Sequence, residues 1–207
     1  MEHELRKVGM GFTGAMLVAM AVDAMLGWPG ALYVRIGHPV TWFGSLVGAL
    51  DARGNRASDV PTKRRLAGVA AALVAIALAV CIGWLIQLAM PSGWSGVVLT
   101  GVFAWPFVAL RSLRDHVAAV RDPLQAGDIE AARKAVSMVV GRDPHQLDEA
   151  GVARASIESL AENTSDGVVA PLFWGALFGL PGIVGYKAIN TLDSMIGHRS
   201  ERHEAFG

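Results

Sequence analysis

Hydrophobic positions in this chain come in long unbroken runs, unlike the short periodic stripes of a soluble protein. From Leu66 to Met90 no residue carries a formal charge, and at a rise of ~1.5 Å per residue such a run can cross a hydrocarbon core of about 30 Å. Pro91-Ser92-Gly93 predicts a tight turn, and the chain then stays uncharged to Leu110, so a second crossing returns at once and makes a helical hairpin. An earlier run, Val8 to Val34, is apolar apart from Asp23 and reads as a first crossing. A carboxylate inside a membrane is costly and calls for a partner or a function. Trp84, Trp94 and Trp105 suit interfacial or packing positions.

Polar positions define one region, residues 111–166, and their spacing predicts helices. Leu113, Val117, Val120 and Leu124 mark the first; a second starts near Asp128, runs through Ile129, Ala132, Val136 and Val139, and stops at Gly141. Asp143-Pro144-His145-Gln146 reads as the N-cap, first-turn proline and capping-box glutamine of a third, whose apolar stripe is Leu147, Ala150, Ala153, Ile157 and Leu160.

Gly167 to Tyr186 is again uncharged but is interrupted by Pro171, Pro181 and glycines at 167, 175, 179, 182 and 185. A plain crossing would separate Glu162 and Asp166 from Asn190 and Asp193. A dip that returns around Gly179 to Gly182 would gather all four on one side. The broken composition favours the re-entrant form, because interrupted helices at membrane depth occur where they line a site.

The fold expected is therefore all-α: a polytopic integral membrane protein with about three to four membrane segments and a helical cytoplasmic region. Residues 1–110 form a transmembrane region with a cytoplasmic loop at 35–65. Residues 111–166 form the cytoplasmic helical region, and 167–207 a membrane-embedded or re-entrant segment with a motif-bearing tail. Arg35, Arg53, Arg56, Lys63, Arg64 and Arg65 follow the first span, and Arg111 and Arg114 the third, which puts both stretches on the cytoplasmic side and the N-terminus outside. No small-residue cleavage pattern ends the first run before Asp23, so it reads as retained.

Composition agrees, with 53% hydrophobic and 17% charged residues among 207. Eighteen basic side chains balance eighteen acidic ones, which leaves no cationic field for nucleic acid. The single cysteine, Cys81, excludes an intrachain disulfide or thiolate zinc cluster and reads as a small packing residue. Gly9-Met10-Gly11-Phe12-Thr13-Gly14 spells a dinucleotide-binding pattern, but no strand precedes it, so it reads as small-residue helix packing.

Candidate chemistry concentrates in two polar clusters. Glu158 and Glu162 stand one helical turn apart, where like charges repel by a few tenths of a kcal/mol. Either Arg154 neutralises them or a divalent metal bridges carboxylates and phosphate oxygens. Asn163 to Gly167 then ends the helix. In the second cluster, Asn190 to Arg199, close to Lys187, basic groups could hold phosphate while Asp193 and Asn190 offer oxygens to magnesium. The alternative is an interfacial anchor whose basic side chains reach headgroups. His38, before Pro39, is either a turn residue or a catalytic one.

The runs Gly141-Arg142-Asp143, Glu158 to Trp174 and Tyr186 to Gly197 together resemble the adenosylcobinamide-phosphate synthases, the cobalamin biosynthesis membrane amide synthases. Weaker likeness extends through Asp23, His38-Pro39-Val40 and Arg64-Arg65-Leu66-Ala67-Gly68. The resemblance implies an ATP-dependent ligase in the bacterial inner membrane, active face cytoplasmic, that joins aminopropanol or its phosphate to adenosylcobyric acid. It also implies Mg2+, ATP as co-substrate, a corrinoid substrate, and other corrinoid-pathway enzymes as neighbours. On that basis Glu162, Asp166 and Asp193 take magnesium or acid–base roles, with Glu158 a further metal ligand. Asn163 and Asn190 orient substrate, and Lys187, Arg142 and Arg199 contact phosphate, with His38 also in the binding set.

The chain departs from the family pattern at His198 and His203, where tyrosines are expected, at Pro144 for a threonine, and at Trp28 where an acidic residue is common. The family also continues beyond Phe206-Gly207 with an Ala-Arg-Leu-Asp-Asp motif and further membrane helices, so the resemblance lacks the C-terminal third. The competing classes are a non-catalytic transporter with its site at Asp23 and the broken segment, and a scaffold for corrinoid enzymes.

Overall fold

The computed structural model describes residues 2–138 and 146–207, with side chains from Gly11 onward. Every regular element among them is helical.

The fold is organised around α4 (Pro61–Leu88), its longest helix. Gly68, Ala71, Ala75, Ala79 and Gly83 form its buried stripe, whereas Leu66, Leu73, Leu78, Leu85 and Leu88 are exposed. Large apolar residues outside and small ones inside suit a lipid solvent, where leucine gains nothing by burial and small residues let backbones approach. This helix, and the stretch Trp94–Gln125 taken together, are each long and apolar enough to cross a membrane. The second stretch comprises α5 (Trp94–Ala104), a 3-10 turn (Trp105–Phe107) and α6 (Leu110–Gln125). The chain is thus an all-α polytopic membrane protein, as its hydrophobic runs predict. Trp94 is the most exposed tryptophan at 85%, and Trp105 packs on Trp28 at 5.5 Å between ring centres.

The first run is bent, and counts as a third span if its bent pair is taken as one. α1 (Glu2–Leu26) lies against α5, with Gly14 facing Val97, as small-residue packing requires. It stops at Gly27, whose φ of 57° turns the chain. The short α2 (Gly30–Ile36) and α3 (Pro39–Gly54) follow, and the stretch Gly30–Gly54 leaves Gly11–Leu26 at 105°. Residues 35–65 are accordingly helix for the most part. The physical reason is that Val40 to Leu50 is too apolar to be solvated, and Val47 packs among Ala71, Ala75, Leu192 and Ile196. Cys81 is exposed on the outward face of α4, so it is not a packing residue.

The polar region is a small helical unit of α6, α7 (Ile129–Val136) and α8 (Glu149–Thr164) around Val120, Ala132, Val136 and Val152. Asp128 caps α7 by accepting from the Ala131 N–H at 3.0 Å. α8 begins later than the capping-box pattern predicts: Gln146 and Leu147 precede it, and Asp148 is its N-cap, accepting from the Gly151 N–H at 2.7 Å. Val139 to His145 lie outside the described residues.

α8 passes through a π-turn (Ser165–Val169) into α9 (Ala170–Phe178), and the chain reverses at Gly179 into α10 (Leu180–Ile196). Gly179 sits at φ 66°, which favours glycine. The Leu180 N–H, exposed by the break, donates to Gln87 Oε1 of α4 at 3.1 Å, so an amide side chain closes the hairpin tip. α10 then packs along the small-residue stripe of α4. Beyond it, the tail folds back so closely that a Cβ on Gly68 would lie 1.7 Å from the Phe206 carbonyl oxygen.

Candidate functional site

The site forms where α8 becomes α9, and the local sequence explains the distortion. Pro171 has no N–H, so it cannot donate to the Gly167 carbonyl one turn earlier. The Ala109 N–H, at the start of α6, donates to that carbonyl instead at 2.9 Å. The resulting π-turn carries Asp166, and such bulges are frequent at functional positions.

The reversal at Gly179 brings α10 back alongside Asp166. Asn190 Nδ2 donates to Asp166 Oδ2 at 3.3 Å, and the Tyr186 hydroxyl donates to Oδ1 at 3.5 Å. The Lys187 ammonium donates to the Asp166 carbonyl at 3.4 Å and to Asn190 Oδ1 at 3.2 Å. Residues twenty or more positions apart thus share one half-buried cluster with one carboxylate and one ammonium. All four contacts are long for hydrogen bonds, so the groups are oriented toward one another without being saturated.

His38 borders this cluster. It caps α3, its Nδ1 accepting from the Val40 N–H at 3.2 Å, and its ring stands edge-on to Trp28 at 4.8 Å. It also feels the charge of Lys187. His38 is thus the N-cap residue of α3.

The other residues singled out from sequence sit around this core. Asn163 donates to the Ser159 carbonyl at 2.8 Å and to its hydroxyl at 3.1 Å, which orients the amide on α8. Glu158 and Glu162 are exposed on α8, and no salt bridge joins either to Arg154. Asp193 and Arg199 are exposed beyond Asn190. Arg142 lies outside the described residues. Among the described residues no three His, Cys, Asp or Glu side chains are gathered closely enough to hold a metal by themselves.

Tyr186 was not among the predicted site residues, although its hydroxyl faces Asp166. Its signal was an aromatic alcohol at the end of an apolar run, next to Lys187. Asp23, the acid in the first run, has a partner: its Oδ2 accepts from the Arg111 N–H at 2.9 Å. It ties α1 to the start of α6.

Comparison with known proteins places this arrangement in a family. The sequence profile of the CobD/Cbib protein family matches residues 16–207. A cobalamin biosynthesis protein CobD of Rhodobacter capsulatus is 62% identical over 198 residues, which cover 96% of this chain and 62% of that protein. The protein of the same name from a Sinorhizobium species is 47% identical over 93% of this chain and 60% of its own length. That of Brucella suis is 44% identical over 92% of this chain and 58% of its own. The chain therefore spans about three-fifths of these relatives. No solved structure matches. With nearly its whole length inside the family profile, the chain belongs to the CobD/Cbib protein family.

Proposed function

We propose that this chain carries the core of an ATP-dependent amide ligase of cobalamin biosynthesis. It would join aminopropanol or aminopropanol phosphate to a propionate of adenosylcobyric acid. The observation that carries the reading is the Asp166, Asn190 and Lys187 cluster at the mouth of the α9–α10 hairpin. Its family membership and the name of its relatives support the pathway.

A carboxylate is a poor electrophile at neutral pH, so the propionate must first be activated. Its oxygen attacks a phosphorus of ATP, a phosphoanhydride bond breaks as ADP or pyrophosphate leaves, and the corresponding acyl phosphate or acyl adenylate forms. The amine nitrogen then attacks the acyl carbon, the phosphorylated oxygen leaves, and the nitrogen gives up a proton. Lys187 is assigned to the phosphate oxygens, where its ammonium offsets developing charge. Arg142 and Arg199 are further phosphate contacts, Asn163 and Asn190 orient, and His38 borders the bound substrate. Asp166, with Glu162 and Asp193 on the flanking turns, takes the acid–base and metal roles, and Glu158 lends a further oxygen. Mg2+ entering with ATP would neutralise phosphate charge. Because the contacts within the cluster exceed 3.1 Å, an entering phosphate can replace them at small cost. The hairpin is assigned as re-entrant, opening to the cytoplasmic face of the inner membrane.

The test is amide formation by membranes carrying the chain, supplied with adenosylcobyric acid, aminopropanol phosphate and Mg-ATP. It is run with and without the segment that completes its relatives. Product that appears without ATP, or no product in either form, refutes the ligase reading; a transporter or scaffold gives no product.

A further inference from the structure

Tyr186 has no part in the mechanism proposed above, yet its hydroxyl is one of two donors that α10 turns on a single carboxylate. Tyr186 and Asn190 stand four residues apart, on one face of α10. Each addresses a different oxygen of Asp166: the hydroxyl donates to Oδ1 at 3.5 Å and the amide to Oδ2 at 3.3 Å. A carboxylate only accepts, so the direction of both bonds is settled. The amide is itself oriented, because its Oδ1 accepts from the Lys187 ammonium at 3.2 Å and Nδ2 is left for Asp166.

Two contacts do what one does not. The terminal torsion of an aspartate is broad and nearly two-fold, so a carboxylate held at one oxygen swings about that contact. The backbone beside Asp166 is anchored from α6, where the Ala109 N–H donates to the Gly167 carbonyl. Among the described residues, both side-chain hydrogen bonds to the carboxylate come instead from α10. The two donors also differ in their other ties. Asn190 is bound to Lys187, and Lys187 to the Asp166 carbonyl at 3.4 Å, so an anion that draws the ammonium away also loosens the amide. The Tyr186 hydroxyl is neutral and, among the described residues, bonds to Asp166 alone. It is the donor that stays when an anion enters, and an anion cannot replace it, because the carboxylate needs an N–H or O–H.

We propose that Tyr186 is a positioning residue: its hydroxyl holds the plane of the Asp166 carboxylate while Lys187 and Asn190 engage an anionic ligand. The inference rests on the ligase reading for what Asp166 does, and adds to it a residue that the reading does not use.

Tyr186→Phe removes the hydroxyl and keeps the ring, so packing is retained. Amide formation is compared for the unaltered chain, Tyr186→Phe, Asp166→Asn and the double variant, each supplied with the segment that completes its relatives. Tyr186→Phe should lower kcat about tenfold and leave each KM within about twofold, the signature of misplacement without lost binding. It should cost nothing further once residue 166 is asparagine, because a group that acts through the carboxylate has nothing left to position. The same fold loss in both backgrounds is what a packing role gives, and overturns the inference. Thermal unfolding in detergent needs no activity. Tyr186→Phe should lower Tm by a few degrees in the unaltered chain and by clearly less beside Asp166→Ala. No shift, or equal shifts in both backgrounds, overturns the inference while the ligase assay can still succeed. If even the unaltered chain forms no amide, the ligase reading falls, and the melting cycle alone decides whether the hydroxyl holds the carboxylate.

Discussion

Asn190 donates to the Asp166 carboxylate at 3.3 Å from the opposite arm of a hairpin whose tip is at Gly179. Asp166 precedes α9 and Asn190 lies within α10, so this contact fixes both arms at one level. A chain that passed straight through at Gly167 to Tyr186 would hold them a bilayer apart.

Topology follows directly. With Cys81 replaced by alanine, single cysteines at Glu162 and Ser194 should be labelled from the same side of the membrane, and one at Ser92 from the other. Opposite accessibility of the first pair in intact cells would sink the re-entrant assignment.

Activity should depend on the cluster and on the carboxylates that flank it. Asp166→Asn removes the carboxylate that Asn190 and Tyr186 address, and should lower amide formation by about a hundredfold or more. Glu162→Gln and Asp193→Asn should also abolish product while the protein still inserts. Full activity in any of these variants removes that residue from the mechanism.

Gln87 closes the hairpin tip, accepting from the Leu180 N–H while its amide donates to Thr100 at 3.3 Å. Gln87→Leu should cost about 1–3 kcal/mol, because the Leu180 N–H loses its acceptor in an apolar setting. Gln87→Glu keeps an acceptor and should lose less. Thermal unfolding in detergent checks this, and equal losses would show that the bond is not what matters.

The tail is clamped at two points. Gly68→Ala would drive a Cβ into the Phe206 backbone, and should destabilise by about 1–3 kcal/mol. Arg202 pairs with the buried Asp51 and its carbonyl accepts from Asn55 at 2.9 Å. The Arg202 side chain is 58% exposed, so Arg202→Ala should cost only about 1 kcal/mol or less. Limited proteolysis near residue 200 should rise more in the first variant than in the second.

Much of the helix pattern was legible. The run Leu66 to Met90, the turn at Pro91 to Gly93 and the stripe Leu113, Val117, Val120, Leu124 each reflect a local rule of length or period. The start of α8 at Glu149, capped by Asp148, was not marked by the apolar stripe, because Leu147 ahead of it also packs on the unit's core. The bend after Leu26 escaped because Gly27 to Pro29 interrupts an apolar run without lowering its hydrophobicity.

Sequence by itself determined that the chain lives in lipid and that it is helical, and it marked out the acidic, amide and basic residues proposed for chemistry. Those follow from side-chain solvation and from residue types at short spacing, which need no long-range information. Tertiary structure decided that Asp166 meets Tyr186, Lys187 and Asn190. It also placed Asp23 with a backbone amide of α6 and left Glu162 and Asp193 on exposed turns. Such meetings depend on the hand and tightness of the reversal at Gly179 and on the small-residue stripe of α4, against which α10 seats. Both are relations between segments far apart in the chain, and no local pattern encodes them.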